Sequence, residues 1–179
     1  WIILGVVVLV VIILISSVVG SYNGLVEKQT AVDSQFAQVQ NVLQRRSDLI
    51  PNLVNTVKGY AAHEEEVYTA IADARAALSG AKTVEEAGEA NAALDSALSR
   101  LLVVVENYPQ LTANQNFIAL QDELAGSENR IAQERKTYNE AVQDYNSSIR
   151  KFPKNIIAGM FGFEKADFFE ADADAQDVP

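Results

Sequence analysis

The chain has 179 residues, 49% of them hydrophobic and 21% charged, with a net charge of −10 and a pI of about 4.5, enough for one packed domain plus an appendage. The acidic balance argues against a nucleic-acid face and against a domain held on anionic lipid by its overall charge. There is no cysteine, so disulfides, thiolate metal sites and cysteine catalysis are excluded, while the redox compartment stays open.

Trp1 to Val19 reads WIILGVVVLVVIILISSVV and carries no charge. Roughly 20 apolar residues span a bilayer, so residues 1–21 are expected to form one transmembrane anchor. The competing reading is a cleaved signal peptide with Val18 and Gly20 at a weak cleavage site, but the run is long for a signal-peptide apolar region. Lys28, then Arg45 and Arg46, follow the span; by the positive-inside rule they lean the large domain toward the cytoplasm. Ser16, Gly20 and Gly24 stand four apart. Small residues at that spacing let transmembrane helices approach closely, although ordinary small residues near a helix end would look the same.

Beyond the span, apolar residues recur at three and four and never alternate, which predicts an all-α fold. Leu25, Val32, Val39, Arg46, Leu53 and Tyr60 fall seven apart, with Phe36, Leu43, Ile50 and Val57 as a second row. That is a heptad seam, and it predicts that the first helix leaves the membrane without a break. Pro51 lies inside it and predicts a kink, not an end, because the register survives on both sides. The expected end is Gly59 to Glu64, where Gly59 can terminate the helix and Glu64, Glu65 and Glu66 suit the first turn of the next. A second helix should run to about Leu78, with Val67, Ile71, Ala74 and Leu78 inward and Ser79-Gly80 closing it. Thr83 to Glu86 is a capping box opening a third helix that ends near Asn107, ahead of Pro109. Thr112 to Gln115 reads as another box, opening the longest helix. There Phe117, Leu124, Ile131, Tyr138, Tyr145 and Phe152 fall one heptad apart.

At about 1.5 Å per residue, the four lengths return the chain to its starting level if the helices run up, down, up and down. The expected fold is therefore an N-terminal transmembrane helix continuing into an antiparallel four-helix bundle over residues 22–152, with long coiled-coil-like helices. Residues 153–169 are apolar but too short to span; they should cover the open end of the bundle or dip into the membrane interface. Residues 170–179 are acidic and are expected to be disordered.

Arg46 occupies an inward heptad position, and a buried charge needs a partner. With the first and last long helices antiparallel, Arg46 falls level with Glu128 to Glu134, making Glu128 and Glu134 its expected partners. Asp48 should pair with Arg130 or Arg135. Arg45, Arg46, Asp48, Glu128, Arg130, Glu134 and Arg135 would then form a register-setting polar layer; a partner-binding groove and snorkelling to solvent are the alternatives. Tyr138-Asn139 and Tyr145-Asn146 lie seven apart and share a face, with hydroxyls expected to reach polar partners. Tyr22 suits the membrane boundary.

Catalytic patterns are lacking. His63 is followed by glutamates, but a zinc helix of the HExxH kind needs a second histidine and the chain has one. Di-iron bundles fail for the same reason. No EF-hand spacing, Walker loop, GxGxxG or GxSxG occurs. No catalytic residue, cofactor or metal is expected, and His63 reads as a surface or helix-end residue.

The stretch YNGLVEKQTAVDSQFAQVQNVLQRRSDLIPNLVNTVKGYAAHE and the stretch from YPQLTANQNF to NIIAGMFGF resemble the LemA family of bacterial membrane proteins, from about Tyr22 to Phe169. RRSDLIPNLV and YNEAVQDYN make the resemblance specific. It implies one N-terminal anchor, an antiparallel helical bundle, a short outside terminus with the bundle inside, and placement in the inner membrane. It implies no catalytic residue, since the family's molecular function is unsettled; members resemble scaffold or stress-linked membrane proteins, sometimes encoded near a membrane metalloprotease. Phe36 and Gln38 depart from a family tendency toward Trp and an acidic residue. The sequence thus points to a membrane-anchored scaffold that self-assembles. An adaptor for a membrane protease is the alternative, and an enzyme using the Arg/Glu layer a weaker one.

Overall fold

In the computed structural model, which describes residues 1–170, the first helix, α1, runs unbroken over Ile2–Lys58. Its first residues, Ile2 to Ile15, are exposed over an almost entirely apolar surface, and one 18-residue window has a mean hydropathy of 3.4 with none of it buried. This is a surface suited to lipid, and α1 alone among the described helices has the length and composition to cross a membrane. From Leu25 onward the same helix changes character. Leu25, Val32, Val39, Leu43, Ile50, Leu53 and Val57 are buried, and they are the members of the heptad seam apart from the charged Arg46, half-buried Phe36 and largely exposed Tyr60.

Pro51 sits inside α1 without ending it. The helix stops instead at Gly59, where the Tyr60 and Ala61 amides both return to the Val57 carbonyl. His63 is exposed in the connection that follows. The next helices are α2 (Glu65–Gly80), α3 (Val84–Glu106), α4 (Pro109–Thr112), α5 (Gln115–Arg150) and α6 (Lys154–Phe161). These six helices, with no strand among the described residues, make the fold all-α. The sequence-predicted acidic start of the next helix corresponds to Glu65 and Glu66 in the first turn of α2. The Thr83–Glu86 capping box is present in both directions, and the Lys82 and Thr83 amides that bond the Glu86 carboxylate hold its pKa below the usual range.

Ser79-Gly80 are the last two residues of α2 and close it. One expected boundary differs. Thr112 does not cap the longest helix: it ends α4, a single turn begun by Pro109, and its hydroxyl donates to the Pro109 carbonyl at 2.8 Å. Asn114 does the capping, its Oδ1 accepting from the amides of Asn116 at 2.9 Å and Phe117 at 3.2 Å.

The chain divides into two compact units. The first joins Trp1–Gln35 to Thr137–Phe168. Within it α1 and α5 run antiparallel: Lys28 pairs with Asp144, whereas Gly24 lies against Lys154, just beyond the end of α5, where an added Cβ would be 3.8 Å from its Nζ. The Tyr22 ring meets Phe161 at 4.8 Å and Phe163 at 5.6 Å between centroids. Gly162 ends α6 at a φ of 73°, a left-handed conformation that favours glycine, and it turns the chain into an extended segment. The second unit comprises residues 36–136 with Phe169 and Glu170 among the described residues. Its α2 and α3 lie side by side, burying Ile71, Ala74 and Leu78 of α2 with Leu94, Leu98 and Leu101 of α3. The expected acidic tail, apart from Glu170, lies outside the described residues.

Candidate functional site

Two polar constellations stand out, one in each unit. In the second unit, the RRSDLIP segment of α1 presents two neighbouring groups to two helices. Arg46 is 4% exposed. It is ion-paired with Asp95 of α3, and its NH1 donates to Asn91 Oδ1 at 2.9 Å. Asn91 is itself aligned by donating from Nδ2 to Asp95 at 3.0 Å. A buried guanidinium is tolerable only with such partners; the Arg46 Nε, also buried, has none.

Ser47 completes the layer, and Pro51 explains how. Proline has no amide hydrogen, so the carbonyl four residues earlier loses its helical bond. That carbonyl belongs to Ser47, whose residue is 1% exposed and would be costly to leave unpaired. Arg75 of α2 donates from Nε to this carbonyl at 3.0 Å and to the Ser47 hydroxyl at 3.3 Å. The proline thus opens an acceptor in the wall of α1, and a cation from the neighbouring helix fills it.

The sequence placed Arg46 inward but chose the wrong partners for it. Glu128 and Arg130 are exposed and Glu134 is half-buried; the acid that meets Arg46 comes from α3, not α5. Arg45 is exposed, and Asp48 accepts from Gln44 Nε2 one turn back at 2.8 Å instead of pairing with Arg130 or Arg135. Arg135 donates to the Glu170 backbone carbonyl and stands 5.4 Å from the centroid of the Phe169 ring. Phe169 is buried and reaches two further helices, with the Phe36 ring 6.2 Å away and Gly88 close by. The seven residues are therefore not brought together. Asn91, Asp95 and Arg75 were missed. Asn91 and Asp95 share a helix face with Leu94 and Leu98, and a polar pair on a buried stripe was the available signal.

The other constellation lies in the first unit and uses neutral groups. The segment after Gly162 has no helical partners for its own carbonyls, so donors must come from elsewhere. YNEAVQDYN on α5 supplies them. Tyr138 donates to the Asp167 carbonyl at 2.8 Å, and Tyr145 to the Glu164 carbonyl at 2.8 Å. Asn146 acts as a surrogate peptide, giving Nδ2 to the Ala166 carbonyl at 2.8 Å and taking the Ala166 amide at 2.9 Å. The spacing fits geometry: two helical turns rise about 10.5 Å, and three extended residues span about 10 Å. Burial, then the negative charges of Asp167 and Asp33, push the Tyr138 pKa up to about 12; burial, then Asp33 and Glu164, push that of Tyr145 up as well. Of the membrane triad, Ser16 and Gly20 are exposed and Gly24 is half-buried. Among the described residues no group of three or more His, Cys, Asp or Glu could hold a metal ion.

Comparison with known proteins finds relatives over most of the chain. Magnetosome protein MamQ 2 of Paramagnetospirillum magneticum is 29% identical over 96% of this chain and 72% of the relative. Magnetosome protein MamQ of Magnetospirillum gryphiswaldense is 26% identical over 98% and 74%. Protein LemA of Metamycoplasma hominis is 25% identical over 86% and 70%. The family model described as LemA family matches residues 35–179, most of the folded helices, and the chain therefore belongs to the LemA family.

Proposed function

We propose that this chain is a membrane-anchored helical scaffold that works by binding and self-assembly, without catalysis, in a bacterial inner membrane. The observation that carries the proposal is α1 itself, one helix that begins as an exposed apolar rod and continues, unbroken past Pro51, as a buried wall of the folded part. A helix of that kind joins a membrane-suited segment to a folded surface without a loop between them. The charged layer supports the same reading, because Arg46 and Arg75 are committed to partners within the fold. So do the magnetosome relatives, which are named for a structure and not for a reaction. Light scattering of the full chain in detergent tests the assembly: a mass of several subunits is expected, and a strictly monomeric particle at all concentrations would remove self-assembly from the proposal.

The same reading puts the bundle on the cytoplasmic side, from Lys28, Arg45 and Arg46 following the span. Because the chain has no cysteine, replacing the exposed Ser96 of α3 in a Ser96→Cys variant gives a clean probe. A membrane-impermeant maleimide should label it only after cells are opened. The second reading, an adaptor for a membrane protease, rests on the family resemblance. It predicts co-purification of a protease with the anchored chain at fixed stoichiometry.

A further inference from the structure

Where α5 ends and α6 begins, the first unit concentrates positive charge that the rest of this acidic chain lacks. An open cavity of about 420 Å³ is lined by Arg150 and Lys151 at the end of α5, Lys165 of the extended segment, Ser147, and Phe168. Its lining residues include three cations and no carboxylate. All three cations are exposed, and none is ion-paired among the described residues.

Its depth follows from the antiparallel register. Lys28 pairs with Asp144 and lies nine residues beyond Val19, the end of the apolar run, or about 13 Å along α1. Lys151 lies seven residues beyond Asp144 in the returning direction, or about 10 Å. Lys151 is thus within a few ångströms of the level at which the apolar run ends. The headgroup layer of each leaflet is roughly 5–8 Å deep, so Arg150 and Lys151 fall in it, while Lys165, next to the Glu164 carbonyl that Tyr145 holds, borders the groove on the side away from the apolar run. The adjoining corner is apolar and uncovered. Phe152 is 80% exposed and Met160 73%, with Ile156 and Phe161 also exposed. Phe161 meanwhile packs on Tyr22 of α1, which ties this face to the base of the membrane span.

We propose that this corner is an interfacial lipid site: Phe152, with Ile156, Met160 and Phe161 of α6, lies in the bilayer surface, and the Arg150–Lys151–Lys165 groove holds the phosphate of an anionic phospholipid headgroup. An apolar face flanked by cations is the chemistry of interfacial binding, and anionic headgroups are what such cations attract. Charge acts here over a Debye length of about 8 Å, so a local basic groove can bind anionic lipid on a chain whose net charge is −10.

The inference rests on α1 spanning the bilayer, and the experiment separates the two. The full chain carrying Trp1→Phe and Phe168→Trp, leaving one tryptophan at the groove, is reconstituted in nanodiscs of phosphatidylcholine with a minor fraction of phosphatidylglycerol. Brominated acyl chains are placed on one lipid or the other at equal mole fraction. Stronger quenching by brominated phosphatidylglycerol is expected. Arg150→Gln, Lys151→Gln and Lys165→Gln should each weaken the preference about fivefold and together abolish it, with helical circular dichroism unchanged. Neutralising exposed Lys82, Arg100 and Arg130 should leave it intact. Single variants carry the result if the triple variant melts early. Equal quenching by the two lipids overturns the proposal, as does loss of the preference when inorganic phosphate replaces chloride at equal ionic strength, which would mark a free-phosphate site. A chain that fails to enter the discs overturns the span as well.

Discussion

The two polar constellations solve one problem with opposite chemistry. In the second unit, charge is buried: Arg46 with Asp95 and Asn91, and Arg75 on the Ser47 carbonyl freed by Pro51. In the first, hydroxyls and one carboxamide bind the backbone of an extended segment. A charged pair that loses one member leaves the other stranded in a poor solvent. A tyrosine that loses its hydroxyl leaves a carbonyl that water can reach at a segment edge. The charged layer should therefore be the more fragile of the two, and the neutral ladder the more gradual.

The largest effect is expected at Arg46. Arg46→Leu should destabilise the fold by about 2–3 kcal/mol, read as the shift in urea midpoint. Because Asp95 is partly open to water, adding Asp95→Leu should recover part of that loss; a double variant as unstable as the sum of the singles would remove the coupling. Next comes Arg75. Arg75→Met strands the Ser47 carbonyl and should cost about 1–3 kcal/mol. In a Pro51→Ala background the helix regains its own donor, so the same change should cost clearly less. Equal costs in both backgrounds would show that the proline and the arginine are independent.

On the ladder side, Tyr138→Phe and Tyr145→Phe should each cost about 1 kcal/mol and be insensitive to salt. The segment they hold should gain hydrogen exchange at Glu164 to Phe168 before the helices do. The smallest effect is an alkaline one. Tyr138 has a pKa of about 12 in the fold against 10.0 for an ordinary tyrosine, so the folded state keeps its proton longer than the unfolded chain. Its contribution is complete below pH 10 and is lost as pH rises from 10 toward 12. A tyrosinate absorbance titration of wild type and Tyr138→Phe checks this: the variant should lose the latest-titrating step and show a flatter alkaline stability profile.

Much of the fold was legible because it is set locally. The seven-residue spacing from Leu25 to Leu53 identified the buried face, Arg46 included. Gly59 and the glutamates after it marked the first break, and Thr83 with Glu86 marked a cap that forms as expected. Thr112 misled because Asn114, two residues on, makes the better cap and Pro109 had already started a separate turn. Pro51 was expected to kink the helix and not to end it, and α1 does continue through it. What it does could not be read, because its effect appears on a carbonyl one turn away and its compensation on another helix.

The sequence by itself determined the membrane-suited start, the helical class and most of the buried seam of α1, since periodicity and capping act within a few turns of chain. Tertiary structure alone decided that Arg46 meets Asn91 and Asp95, 45 residues from Arg46 to Asn91, that Arg75 reaches back 28 residues to Ser47, and that Tyr138 holds Asp167, 29 residues on. The heptad repeat states that a side chain faces inward; it does not state which of several neighbouring helices faces it. A buried polar group pairs with whatever the packing brings within hydrogen-bond reach, and that distance is a property of the folded chain.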